Sequence, residues 1–536
     1  MLKFDPLKNP YSSQRMTSYS DQGLVATSQP LAAQAGLRVL QEGGNAVDAA
    51  VAAAATLPVV EPTSNGIGGD AFALLWYRGK LYGLNASGPA PMDISISSLK
   101  DKGISSIPKE GWLPVTVPGV PAAWQELSSK MGRLSFQCLL EPAVEYAERG
   151  YPLSPVVAHY WNKAFQQYKE GLQGREFKEW FKTFAPAGRA PRAGERWSSK
   201  EMAETLQALA EEGSDLFYRG WLAERIAAFS AAHGGYLSTS DLSSFQPEWV
   251  EPMRVKYRGY DLWELPPNGQ GLIALMAFNI LEGMEVPAEG SVDGYHHQIE
   301  ALKLSFHDGR RMITDPHQMK VKPRELLSVE LARERRELIG EQALVPGEGK
   351  PELGGTVYLA TADSEGNMVS YIQSNYMGFG SGLVVPGTGI SLQNRGHLFS
   401  LDPGDANCLQ PGKRTYHTII PGFLTRDNQP LGPFGVMGGF MQPQGHLQLI
   451  IKCLDQGHNP QAALDAPRWQ WMGGKKIKVE PGFPEEIARK LSERGHQIER
   501  AATTDGFGRG QVIWRLEDGV YAAGTDSRAD GQVALW

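Results

Sequence analysis

The chain reads as an α+β protein in which antiparallel hairpins replace regular strand–helix–strand alternation. Three stretches predict this. The run AFALLWYRGKLYGL alternates weakly and turns at Arg78-Gly79-Lys80, which places a hairpin over about residues 71–84. Further on, TVYLATAD and MVSYIQS are strand-like runs joined by the turn residues Asp363-Ser364-Glu365-Gly366-Asn367. Between these hairpins, from about 121 to 234, the spacing becomes helical and rich in aromatics, among them Trp161, Phe165, Phe177, Trp180, Phe181 and Phe184. A helical lobe is expected there.

The remaining elements follow in order. PLAAQAGLRVLQEGG predicts a helix opened by Pro30 and closed at Gly43, after which Asn45, with Asp48 three positions on, caps a second helix. That second helix, AVDAAVAAAATLP, is nearly all alanine and valine and suits close packing between layers. NGIGGD breaks the GxGxxG spacing and places no acidic ribose partner, so it reads as a tight loop rather than a nucleotide cradle. YRGYDLWELPPNGQGLIALMAFNILEG predicts a strand, a turn at Pro266-Pro267-Asn268-Gly269 and an apolar helix, and DGYHHQIEALKLSFHDGRR another helix. The basic run over 320–339 places Leu327, Leu331 and Leu338 at helical spacing and reads as a solvated helix face. Residues 341–353 have linker composition. Helices return near Gln442 and Pro484.

At 536 residues the chain is long enough for roughly three to four domain-sized units or for one large layered core. Its 41% hydrophobic and 21% charged residues are those of an ordinary globular protein. No membrane span is expected, and the polar start, broken by Pro6 and Pro10, lacks the apolar run of a secretory signal, so a cytoplasmic location is expected. Cys138, Cys408 and Cys453 are odd in number and far apart, which suggests reduced thiols rather than a disulfide framework or a CxxC metal site. With 52 basic against 59 acidic residues, the net charge of -7 gives no large attraction for phosphate backbones. Nucleic acid is not an expected partner.

Missing motifs narrow the chemistry. There is no GxSxG elbow, no GxxxxGK[ST] phosphate loop and no HExxH helix. His296-His297 and His307-Asp308 point different ways along one helix without a converging carboxylate set, so a structural role is preferred and no metal is expected. What remains is Thr356, which follows Gly354-Gly355 and opens a strand. A threonine hydroxyl needs an adjacent base, and a chain beginning at this residue would supply one in its own α-amine, with a pKa of about 8. Gly355 lacks a Cβ and leaves the hydroxyl room to swing onto its carbonyl. Self-cleavage at Gly355-Thr356 would create the nucleophile, although Gly-Gly-Thr before a strand is also a common loop ending.

GGTVYLATADSEGNMV and the downstream GFGSGLVVPGTGISLQN resemble the start of the small subunit in the γ-glutamyltransferase family of N-terminal nucleophile hydrolases. GGNAVDAAVAAAATLPVVEPTSNGIGGDAF, VTVPGVPAAW, APRWQW, VEPGF and GTDSRADG extend the similarity over nearly the whole chain. The resemblance implies a four-layer αββα sandwich, here with the added helical lobe. It also implies a precursor cut into a region 1–355, with a linker over about 341–355, and a region 356–536, and acyl transfer through a threonyl ester without metal or organic cofactor. Thr356 carries over as nucleophile, and Ser374 stands where the family usually has a second threonine. Gly438 and Gly439 match the paired glycines of the oxyanion hole.

The substrate positions depart from the family pattern. Transpeptidases acting on glutathione hold the α-carboxylate with an arginine, where NASGPAP offers Ser87, and the α-amino group with a Gln and an Asp, where this chain has Arg395 and Leu398. Their paired serines match His417 and Thr418. Together with Asn375, these residues form the expected substrate-binding set. An α-ammonium against Arg395 would meet a like charge, at a cost of roughly 2–5 kcal/mol. An acyl group ending in a carboxylate and lacking the amine, such as a glutaryl-like side chain, suits Arg395 and His417 better and points toward the cephalosporin-acylase-like branch. The alternatives left open are internal pairing of Arg395, a true γ-glutamyl transferase with rearranged recognition, and an uncut, silent binding relative. The implied partners are a small-molecule amide and the two fragments of the cut chain, and a homodimer is compatible with this.

Overall fold

The computed structural model describes residues 15–285, 287–346 and 354–536. Two seven-stranded sheets lie face to face, and every neighbouring pair in them is antiparallel. The first runs, edge to edge, Gln532–Leu535, Gly23–Thr27, Gly355–Asp363, Met368–Tyr376, Asp70–Tyr77, Lys80–Ala86 and Glu248–Val250. The second runs Ser18–Ser20, Tyr521–Thr525, Arg509–Arg515, Gln429–Met437, Gly422–Arg426, Tyr260–Glu264 and Met253–Tyr257. Strand residues alternate between faces, so each sheet has an inner and an outer apolar surface. Phe72, Leu74, Tyr358, Ala360 and Ile372 of the first sheet meet Phe423, Met437 and Ile513 of the second in one inner cluster.

Helices cover both outer faces, giving the four-layer αββα sandwich. Helices Pro30–Gln41 and Ala46–Val60 lie on the first sheet, while Gly271–Glu282, Val292–Met312 and Met441–Leu454 lie on the second. Every residue of Ala46–Val60 is buried, as its small side chains allow. Asn45 and Asp48 close its N-terminus in a reciprocal capping box, and the Asp363 carboxylate accepts from Ala46 N at 2.9 Å, tying this helix to the first sheet. The helical lobe extends from Val120–Met131 to Trp221–Ala232, and Trp161, Trp180 and Phe184 surround Phe379 from the C-terminal half.

Over 320–339 the single helix expected from leucine spacing is instead two, Pro323–Leu326 and Val329–Glu337. The Ser328 hydroxyl accepts from Leu331 N and starts the second, a capping bond that competes with helix continuation. Leu338 is exposed rather than packed. Of the expected linker, Ala343 N donates to Arg494 O at 2.7 Å, and 347–353 lies outside the described residues. The three cysteines are unpaired thiols.

Two backbone segments cross closely beside the first sheet. A Cβ on Gly88 would stand 1.8 Å from Val117 O, and one on Gly119 would stand 1.9 Å from Ala86 O. The crossing is pinned by Val117 N donating to Pro89 O at 3.0 Å. Overpacking against backbone cannot be relieved by a rotamer change, so Gly88→Ala is expected to destabilise the protein by at least about 3 kcal/mol. A thermal melt of the variant unchanged from wild type would refute this.

Candidate active site

The hairpin of Gly355–Asp363 and Met368–Tyr376 places the nucleophile candidate. Its register pairs Gly355 with Tyr376 and Val357 with Gln373, so a single residue, Thr356, opposes two, Ser374 and Asn375. This bulge bends the partner strand at the hydroxyl pair, as bulges beside functional sites do. The Thr356 hydroxyl lies 2.8 Å from Gly355 O and 3.1 Å from Ser374 Oγ, and Ser374 Oγ donates to Gly355 O at 2.7 Å. One carbonyl oxygen therefore receives two hydroxyls. Asn375, one residue on, faces away: its Nδ2 donates to Ser391 Oγ at 2.9 Å beside the loop that carries Gly66 and Gly69.

The paired glycines before Thr356 are required sterically. A Cβ on Gly354 would lie 3.0 Å from Tyr376 O and 3.1 Å from Gly439 Cα, and one on Gly355 would lie 2.9 Å from Gly378 N. Gly438 and Gly439 have φ of +135° and +61°, values that glycine adopts without strain. Their carbonyls accept from Met441 N and Gln442 N, and Gln270 Nε2 adds a bond to Gly439 O at 2.9 Å. Among the described residues none accepts from either glycine N–H, which leaves both available at the end of the strand Gln429–Met437. A cleft of about 480 Å³ opens over Gly354, Gly355 and Gly438, with Tyr160 and Arg509 among its lining residues.

Arg395, His417, Thr418 and Ser87 are buried behind the hydroxyl pair and are not among the residues lining this cleft. Arg395 Nη1 donates to Thr418 Oγ1 at 2.6 Å, its Nη2 approaches Ser374 Oγ at 3.3 Å, and its guanidinium stacks 4.4 Å over the Tyr376 ring. Burial lowers its pKa to about 10, against the pull of Asp70, so it stays protonated at neutral pH. Burial raises the Asp70 carboxyl to about 7, while Arg395 and bonds from Gln393 and Gly88 act in the opposite sense. His417 is held well below its usual pKa by burial and by Arg395, and is neutral. Its Nδ1 accepts from Ile419 N, so Nε2 carries the hydrogen and donates to Asp70 Oδ2 at 3.1 Å. Ser87 Oγ donates to Asn85 Oδ1 at 2.7 Å and accepts from Asn268 Nδ2 at 3.1 Å.

Two contributors had no signal in the sequence reading. Tyr376, at φ +74°, is a bulky residue in the left-handed region, a backbone cost of about 1–2 kcal/mol that turns its N–H onto Ser374 Oγ at 2.8 Å. Asp70 ends the NGIGGD loop. Away from the cleft, His296, Glu300 and His496 form a buried group of possible metal ligands, but Lys303 Nζ already neutralises Glu300 at 2.7 Å. The same pair holds Leu344 by its N–H and its carbonyl.

An αββα sandwich with a threonine hydroxyl at the start of a central strand, facing inward beside a second hydroxyl, defines an N-terminal nucleophile hydrolase. Residues 32–536 match the family model described as gamma-glutamyltranspeptidase, and the chain belongs to that family. It is similar to the glutathione hydrolase-like YwrD proenzyme of Bacillus subtilis (strain 168), at 38% identity over 95% of this chain and 97% of the relative. It is also similar to the oxamate amidohydrolase proenzyme of Klebsiella pneumoniae, at 35% identity over 97% of this chain and 99% of the relative. Among solved structures, a cephalosporin acylase from Bacillus halodurans superposes with a TM-score of 0.97 at 58% identity, over 100% of this chain and 99% of that one. Among the described residues no helix is long and apolar enough to cross a membrane.

Proposed function

We propose that the chain is a self-processing amidohydrolase that cuts itself at Gly355-Thr356 and then hydrolyses or transfers a glutaryl-like acyl group through an ester on Thr356. The observation that carries this reading is the Gly355 carbonyl, which receives hydroxyls from Thr356 at 2.8 Å and Ser374 at 2.7 Å. In the first step Thr356 Oγ attacks the Gly355 carbonyl carbon, the C–N bond breaks, and the hydroxyl proton ends on the Thr356 nitrogen. Water then hydrolyses the ester, leaving Gly355 as a carboxylate and Thr356 with a free amine. In turnover that amine takes the hydroxyl proton and returns it to the leaving amine, and Gly438 and Gly439 N–H groups bind the oxyanion. Water or an acceptor amine resolves the acyl ester. The products of self-cleavage are regions 1–355 and 356–536.

The cleft wall carries Lys109, Lys163, Arg509 and Arg528 beside Glu110 and Asp505, with Arg509 paired to Glu61, Arg528 to Glu480 and Asp526, and Lys163 to Asp505. The acyl preference therefore rests on the position that holds the α-ammonium in the family, not on a surplus of cations. Leu398 supplies no carboxylate where the family holds an α-ammonium. A side-by-side assay of glutaryl-anilide and γ-glutamyl-anilide on the cut protein is expected to favour the glutaryl compound by at least about tenfold in kcat/KM. Preference for the γ-glutamyl compound would overturn the acyl assignment and point to Glu110 or Asp505 as the ammonium site.

A further inference from the structure

We propose that Arg395 is a positioning residue for the cleavage of Gly355-Thr356, acting through the hydroxyl of Ser374 rather than on substrate. This rests on the self-processing reading above. The guanidinium is fully buried, and among the described residues no carboxylate forms an ion pair with it. Such burial costs several kcal/mol unless other contacts offset it. Here the Tyr376 ring, the Thr418 hydroxyl and the field of Asp70 stand in for a direct counterion.

The arrangement fixes where one proton points. Ser374 Oγ is met by three donors, Tyr376 N–H at 2.8 Å, the Thr356 hydroxyl at 3.1 Å and Arg395 Nη2 at 3.3 Å, and Gly355 O is its one pure acceptor neighbour among these contacts. Its single proton is then left for Gly355 O, 2.7 Å away. When Thr356 Oγ attacks, the C=O π pair moves onto that oxygen, where the Ser374 hydroxyl meets it with a fixed cation directly behind. Collapse of the intermediate returns the pair to the carbonyl, breaks the C–N bond and leaves the proton on nitrogen. A charge set in place before the reaction needs no reorganisation when negative charge develops. Thr418 holds the other arm of the guanidinium, and Gln270 Nε2, bonded to both Thr418 O and Gly439 O, couples this cation to the strand end that carries Gly438.

The test follows cleavage of the full-length chain made by cell-free translation, sampled over time by intact mass, with a thermal melt of each protein. Arg395→Met is expected to slow the appearance of the two fragments at least about 30-fold, and Arg395→Lys, which keeps a cation behind Ser374, to recover the rate to within about fivefold of wild type. A methionine chain that cuts at the wild-type rate overturns the proposal. So does a lysine chain as slow as the methionine one, because that pattern marks a packing role that any shape change disrupts. If Arg395→Met does not melt cooperatively, Arg395→Gln replaces it in the same comparison. Failure of the wild-type chain to cut would instead refute self-processing itself.

Discussion

A Thr356→Ala chain is expected to remain one unbroken 58.6 kDa polypeptide and to turn over amide substrate at no more than about 10⁻³ of the wild-type rate. Two losses coincide. The hydroxyl 2.8 Å from Gly355 O is the group that attacks that carbonyl, so without it the bond has no intramolecular nucleophile. With the bond intact, the nitrogen of residue 356 stays an amide and cannot serve as a base. The chain should still fold, at a cost of about 1–2 kcal/mol for the buried hydroxyl and methyl that are removed. Intact mass and steady-state turnover of one preparation check this. Fragments parting at the same bond, or full turnover by the uncut variant, would end the account.

Ser374→Ala is expected to slow self-cleavage by about 10²–10³-fold, because it removes the donor to the Gly355 oxygen that becomes negative in the transition state. It also leaves Tyr376 N–H and Arg395 Nη2 aimed at a position with no acceptor. Losing a buried acceptor of this kind costs about 1–3 kcal/mol, so the melting temperature should fall as well. Ser374→Thr keeps the hydroxyl and should cut within about tenfold of wild type. A time course of cleavage in both variants separates the outcomes, and an alanine variant that matches the threonine one would show that the hydroxyl is dispensable.

Much of this was legible in the residues, and the illegible part has physical causes. Capping, alanine content and turn chemistry are local properties, so the helix beginning at Ala46 and the hairpins at 70–86 and 355–376 follow from short stretches. Thr356 stood out at the junction of two glycines and a strand, whereas Ser374 came from the family resemblance; the hairpin brings these residues, 18 apart, to 3.1 Å. Asn375 illustrates the limit of reading by position alone: its side chain bonds Ser391 Oγ on the side away from the hydroxyl pair, a contact that no local spacing encodes. The partnership of Asp70 and His417 joins residues 347 apart and depends on the way the sheet folds over the Gly66–Gly69 loop. Arg395 read as a substrate-recognition group from its place in the family pattern, with internal pairing as the alternative. Its burial depends on long-range contacts with Thr418 and Tyr376 that no spacing encodes.

The first sheet also dictates what the proposed cut at Gly355-Thr356 would do to the protein. Gly23–Thr27, from before the cut, is hydrogen-bonded on one side to Gln532–Leu535 and on the other to Leu359–Asp363, both from after it. The pieces are thus interleaved like woven threads, and both contribute strands to each of the two seven-stranded sheets. Denaturation of the processed protein therefore releases two independent molecules where the precursor releases one. Its midpoint depends on dilution, and recovery becomes a second-order encounter instead of the folding of a single chain. Severing one peptide bond makes assembly a one-time event and leaves the mature protein to rely on slow unfolding for its persistence.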